Sequence, residues 1–140
     1  MPRDFFDHTG DIGVRLTAPS LPDLFREAAL AFTETLLRGT AVTADTSRDV
    51  HLAAPSLDDL MVEWLGEVLY WFEVRNVLTA DATLTITNAG DGWELQGDMR
   101  GEPFDPERHP IQVLIKGITY HRLDVRETSG SWQTDLVFDI

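Results

Sequence analysis

The chain has 140 residues, and its 24 Asp and Glu against 11 Lys and Arg give a formal net charge of −13. That length and a hydrophobic content of 43% suit one domain, residues 1–140, with a filled core, which excludes intrinsic disorder. The absence of cysteine excludes disulfides, thiol nucleophiles and Cys-ligated zinc, and the lack of clustered Lys and Arg excludes extensive direct nucleic-acid binding.

No charged and then apolar leader opens the chain, and no apolar run approaches the ~18 residues of a membrane span. A cytoplasmic protein with no membrane association is therefore expected. Ile12, Val14 and Leu16 alternate with Asp11, Arg15 and Thr17, the period of a half-buried strand. Ser20-Leu-Pro-Asp-Leu then opens a helix over about Leu21 to Arg38, with Ser20 as cap and Gly39 as stop. Val50, Leu52 and Ala54 repeat the strand pattern weakly. A second Ser-Leu-x-Asp-Leu at Ser56 opens a helix over about Leu57 to Arg75. Eleven of the 16 residues from Leu57 to Phe72 are apolar, which makes this second helix a core helix or one covered by a partner, with core the plainer reading.

Leu84 and Ile86, the turn NAGDG, then Trp93, Leu95 and Met99 read as a hairpin with a five-residue turn. Ile111 to Glu127 is too long for an ordinary strand, and Gly117 is expected to bend or bulge it. Trp132, Leu136 and Phe138 form a last strand. The fold class is α+β: a single domain with a mainly antiparallel β-sheet packed with two main α-helices.

The chain contains no GxSxG, HExxH, GxxxxGK[ST] or GxGxxG, and His8, His51, His109 and His121 lack the short spacings of a helical metal pair. Four features remain. HTGDIG, His8 to Gly13, precedes a clean strand and reads either as a close-approach ligand loop or as a turn with Asp11 bonding its own backbone. At the C-terminus, Asp139 adjoins the α-carboxylate of Ile140. If Asp11 neighbours the last strand, three carboxylates converge and call for a cation, and oxygen-only ligation favours calcium, magnesium or manganese over zinc. The alternative is a frayed, solvated end. Lys116 is the only lysine, and reads either as a compact ammonium for a carboxylate or phosphate or as an edge-strand guard. Finally, the loop GEPFDPERHP with Asp105, Arg108 and His109 reads as solvated, and the parity of His121 with Leu123 and Val125 reads as a hydrogen-bonded core histidine.

Taken together, HTGDIG, SL-x-DLF, L-x-x-x-LYWFEV, GEPFDPERH, IKGITYH and the terminal VFDI resemble the archease family, in order and over nearly the whole chain. Gly10 stands where archeases more often carry Ala. The resemblance implies an accessory protein, not a stand-alone enzyme. It would activate the tRNA-splicing RNA ligase that joins a 3′-phosphate or 2′,3′-cyclic phosphate to a 5′-hydroxyl, promoting guanylylation of the ligase and its multiple turnover. By motif match it also implies a metal site at Asp11, Asp139 and the Ile140 carboxylate, with calcium the expected ion, and a functional lysine at Lys116. His8 and His121 would take supporting roles. Two other classes are a metal-dependent hydrolase using the same carboxylates, and a chaperone-like binding module exposing Trp64, Tyr70, Trp71 and Phe72. The oligomeric state is left open.

Overall fold

The computed structural model describes residues 2–8 and 10–140, with backbone alone for Asp7 and His8. In chain order the elements are β1 (Arg3–His8), β2 (Asp11–Ala18), α1 (Leu21–Leu37), β3 (Thr46–Ala54), α2 (Leu57–Arg75), β4 (Val77–Asn88), β5 (Trp93–Pro103), β6 (Gly117–Thr119), β7 (Arg126–Thr128) and β8 (Ser131–Asp139). Two antiparallel sheets result. One has the order β1-β2-β8-β6 with β7 also paired to β8, and the other is β3-β5-β4. None of the described helices is long and apolar enough to cross a membrane.

Both helices start where their caps place them. Ser20 Oγ accepts from the Asp23 backbone N–H at 3.3 Å, and Ser56 Oγ from that of Asp59 at 3.1 Å, which satisfies first-turn donors that have no helical partner. Each helix ends in a left-handed residue, Arg38 (φ 50°) and Asn76 (φ 57°). The first stop thus falls on Arg38, one residue before the expected Gly39.

The second helix is a core helix, as expected, and α1 is the more central of the two. It buries eleven of its 17 residues, whereas α2 buries seven of its 19. The physical reason is size. Ala28, Ala29 and Ala31 add little apolar area, yet they let neighbours approach α1 from several sides, while both helices touch both sheets and each other. Two buried hydroxyls fit this setting because each is bonded: Thr33 Oγ1 donates to the Thr79 carbonyl (2.7 Å) and Thr35 Oγ1 to that of Ala31 (2.8 Å). On the sheet side the Phe32 and Phe138 rings meet edge to face at 6.0 Å. Trp64 of α2 is fully buried, and its Nε1 donates to the Phe25 carbonyl of α1 at 2.7 Å.

Two further expectations change. The 111–127 stretch is not one bent strand. Only β6 and β7 are ladder-bonded, and residues 111–116 are held instead by the Gln112 and Val113 N–H groups on the Leu36 carbonyl and by buried Ile115. The β4–β5 connection is four residues, Ala89 to Gly92, because Asn88 still pairs with Trp93. β1 went unread, since its Phe5-Phe6 pair breaks the alternation that marks a strand.

Candidate functional site

One row of residues crosses the end of the larger sheet. In the Cα register His8 lies opposite Asp11, Asp11 opposite Asp139, and Gly117 opposite Asp139. Directly opposed residues of an antiparallel pair send their side chains to the same face, with Cα atoms about 4.5–5.5 Å apart. Asp11 and Asp139 therefore project together from one face. Lys116 precedes Gly117, and its backbone N–H donates to the Asp139 carbonyl at 2.7 Å, so the only lysine enters the fourth strand of the row. Lys116, Asp139 and Ile140 are exposed, and Asp11 is half-buried. Thr9 and the His8 side chain lie outside the described residues.

Burial tells the two faces apart. Val14, Leu16, Leu136 and Phe138 are buried toward the helices, so Asp11, Gly13, Arg15, Asp135 and Asp139 occupy the opposite face. That face is clasped beside the carboxylate row. Asp135 accepts from Arg15 (Nε, 2.9 Å) and from Arg122 (Nη2, 2.9 Å). Burial pushes the Asp135 carboxyl up, but the two guanidiniums outweigh it and hold the group below the usual carboxylate range. Arg122, in the left-handed region at φ 63°, also stacks 4.5 Å from the centre of the Phe6 ring. Phe6 in turn lies on Gly13, where a Cβ would sit 2.2 Å from the ring. Val137 is fully buried on this nominally outer face.

The loop carrying His121 is fixed at α2. Tyr120 Oη donates to Asp59 Oδ1 at 2.7 Å, which raises the Tyr120 pKa, and the Val125 N–H donates to Asp58 Oδ1 at 2.8 Å. His121 itself is exposed, not a core residue as its parity implied, because Tyr120 to Asp124 is not a strand and parity does not apply there.

Among the described residues the buried histidine is His109, in the loop read as solvated. It is 0% exposed and stacks on Phe104. The Asp105 N–H donates to its Nδ1 at 3.0 Å, which leaves the proton of the neutral ring on Nε2, 3.3 Å from Glu102 Oε2. Glu102 also accepts from Arg108 Nε (2.5 Å), Thr43 N (2.9 Å) and Thr43 Oγ1 (3.1 Å). The missed signal was Pro103 and Pro106 bracketing an Asp, the chemistry of a compact folded loop. Arg108 above all, then the Thr43 N–H, hold the Glu102 pKa down to about 2. Its folded pKa lies below its unfolded value, so its stabilisation is complete above about pH 4.5 and is lost as pH falls toward 2. Melting curves from pH 7 to pH 2 should show a steeper acid loss of Tm in the wild type than in Glu102→Gln. Equal slopes would refute the assignment.

The donor set of the row suits a hard cation: two carboxylates in register and, one residue on, the Ile140 α-carboxylate, all oxygen. Among the described residues, no three His, Cys, Asp or Glu side chains gather closely enough to hold an ion. The aromatic surface expected of a binding module is a correction. Trp64, Trp71 and Phe72 are core residues, and of the four only Tyr70, 42% exposed, reaches solvent.

Comparison with known proteins adds the family. The model of the Archease protein family (MTH1598/TM1083) matches residues 4–140. The chain belongs to the archease family. Protein archease of Methanosarcina mazei is 33% identical over 98% of this chain and 94% of that protein, and that of Methanopyrus kandleri is 31% identical over the whole of both. The solution structure of Methanobacterium thermoautotrophicum protein 1598 superposes with a TM-score of 0.85 at 26% identity, covering 99% of each chain. The Thermotoga maritima archease, described as a possible chaperone, shares the fold with a TM-score of 0.58 at 20% identity, over 99% of this chain and 97% of that one. Within the family motif, Gly10 has φ 73° and open space around it. Glycine adopts that conformation freely, whereas Ala would cost about 1–2 kcal/mol there.

Proposed function

We propose that the chain is a cytoplasmic accessory protein of tRNA processing that activates the tRNA-splicing RNA ligase, promoting guanylylation of its active-site histidine and its repeated turnover. Family membership supports the reading, and so does the description of the T. maritima relative as a possible chaperone, which implies action on another protein. The observation that carries it is the register that sets Asp11 opposite Asp139 beside the strand entered by Lys116.

In this reading Asp11, Asp139 and the Ile140 carboxylate hold a divalent cation, calcium by preference, with magnesium and manganese as alternatives. A cation so held supplies positive charge to phosphate oxygens. Lys116, exposed at the same end, offers a second positive point charge to a triphosphate and orients it for in-line attack. The net charge of −13 attracts a basic, RNA-binding partner and speeds the encounter. The clasp of Arg122, Asp135 and Phe6 keeps the face beside the row rigid.

The test is ligase guanylylation with wild type, Asp11→Ala, Lys116→Ala and Asp139→Ala. Loss of stimulation in the folded variants, on the order of tenfold or more, is expected. Wild-type stimulation by all three would end the proposal. Phosphoester turnover without any ligase would favour the hydrolase class, and binding of other proteins that survives chelation would favour the chaperone class.

A further inference from the structure

Lys116 stands on a slight support. β6, the strand it enters, is three residues long and pairs with β8 alone among the described strands. That is the short end of the range for strands, so the place of β6 depends on what holds its two ends. At the start, the Lys116 N–H bonds the Asp139 carbonyl. Just past the far end comes the turn Tyr120–Leu123, closed by the Leu123 N–H on the Tyr120 carbonyl at 3.1 Å. The Tyr120 hydroxyl ties this turn to Asp59 of α2, and Arg122 ties it to the outer face of the sheet.

Arg122 occupies the third position of that turn with φ 63°, where a turn ordinarily takes glycine or asparagine. A long side chain there costs backbone energy that glycine avoids, so an arginine held in this conformation points to a use for its guanidinium. The guanidinium donates to Asp135 and stacks on the Phe6 ring. The ring in turn depends on Gly13. Phe6, Gly13, Val137 and Thr119 lie opposite one another across β1, β2, β8 and β6, one row inside the acids. Gly13 lies outside the left-handed region, so what glycine supplies here is space. A Cβ on it would meet three atoms of the Phe6 ring, at 2.2, 2.4 and 2.7 Å. Phe6 is only half-buried, so its ring would swing off the sheet and Arg122 would lose its platform.

We propose that Arg122 is a positioning residue for Lys116, acting through β6, and that position 13 is glycine in order to seat the ring on which Arg122 stacks. The inference rests on the ligase-activator reading and adds what aims the ammonium. Asp11 and Asp139 do not need the clasp, because the long β2–β8 ladder holds them. Lys116 does, because its strand is short and lies at the end of the sheet.

The experiment compares wild type, Arg122→Gly and Gly13→Ala by melting, hydrogen exchange, ligase affinity and ligase guanylylation at saturating protein. Arg122→Gly is expected to melt close to the wild type, because glycine relieves the turn while a half-exposed ion pair is lost. Its Gly117–Thr119 amides should exchange roughly tenfold faster, while the β3-β5-β4 sheet exchanges as before. Saturating guanylylation should fall roughly tenfold with ligase affinity unchanged, the mark of misplacement and not of lost binding. Gly13→Ala should reproduce these effects by dislodging Phe6, and the double variant should lose no more than either single one, since both act through one clasp. Wild-type exchange at Gly117–Thr119 in folded Arg122→Gly, or faster exchange there with full stimulation, overturns the positioning role and leaves the activator reading standing. Faster exchange across both sheets with a lower Tm also overturns it, since the clasp would then only hold the fold together. A wild type that does not stimulate the ligase overturns both.

Discussion

Calcium added to the wild-type protein at about a hundred times its Kd is expected to raise Tm by roughly 5–10 °C, and Asp139→Asn is expected to erase that rise. A ligand at that excess stabilises the folded state by about 2.7 kcal/mol, and a domain somewhat larger than this one gains about 2–4 °C for each kcal/mol. The register sets the sign of the control. Asp11 and Asp139 face each other across one strand pair, and like charges directly opposite each other on a sheet are destabilising. Without calcium, Asp139→Asn relieves that repulsion and should melt no lower than the wild type. With calcium, it should melt well below. A variant that is merely damaged would melt lower in both conditions. Differential scanning in calcium and in EDTA distinguishes these outcomes, and no calcium-dependent shift in the wild type would remove the cation from the proposed function.

The largest loss of stability is expected from Trp64→Ala. Trp64 is fully buried in α2, and its indole N–H is committed to the Phe25 carbonyl of the central helix. Truncating a buried Trp costs about 3–5 kcal/mol through lost burial and the cavity left behind. The change should lower Tm by on the order of 10 °C. Trp64→Phe keeps most of the volume and loses the hydrogen bond, so it should cost about 1–3 kcal/mol. Urea denaturation of the three proteins checks the order. An Ala variant as stable as the Phe variant would mean that α1 and α2 do not rely on this contact.

Local pattern made several elements readable. The alternation of Ile12, Val14 and Leu16 marked β2, and the Ser-Leu-x-Asp-Leu repeats marked both helix starts. What stayed hidden depends on partners distant in sequence. No local pattern reveals that α1 is touched by both sheets, because its alanines look featureless until neighbours close on them. The histidines were inverted for a related reason. Parity assigned His121 a strand face that a loop does not have, while His109 owes its burial to Glu102, Asp105 and Phe104 folding around it. For the candidate site, the residue types could be named from the sequence. Their register across β2, β8 and β6 could not, since it exists only once β8 inserts between two strands.

The insertion of β8 also bears on the order of assembly. The β4–β5 hairpin closes over a four-residue loop and can form on the microsecond scale, whereas the Arg15–Asp135 contact joins residues 120 positions apart. Such distant closure comes late in folding. The three-stranded sheet can therefore arise first, while the row of acids exists only after both chain ends have met. A half-folded molecule has no such row to offer, so whatever recognises it recognises finished protein alone.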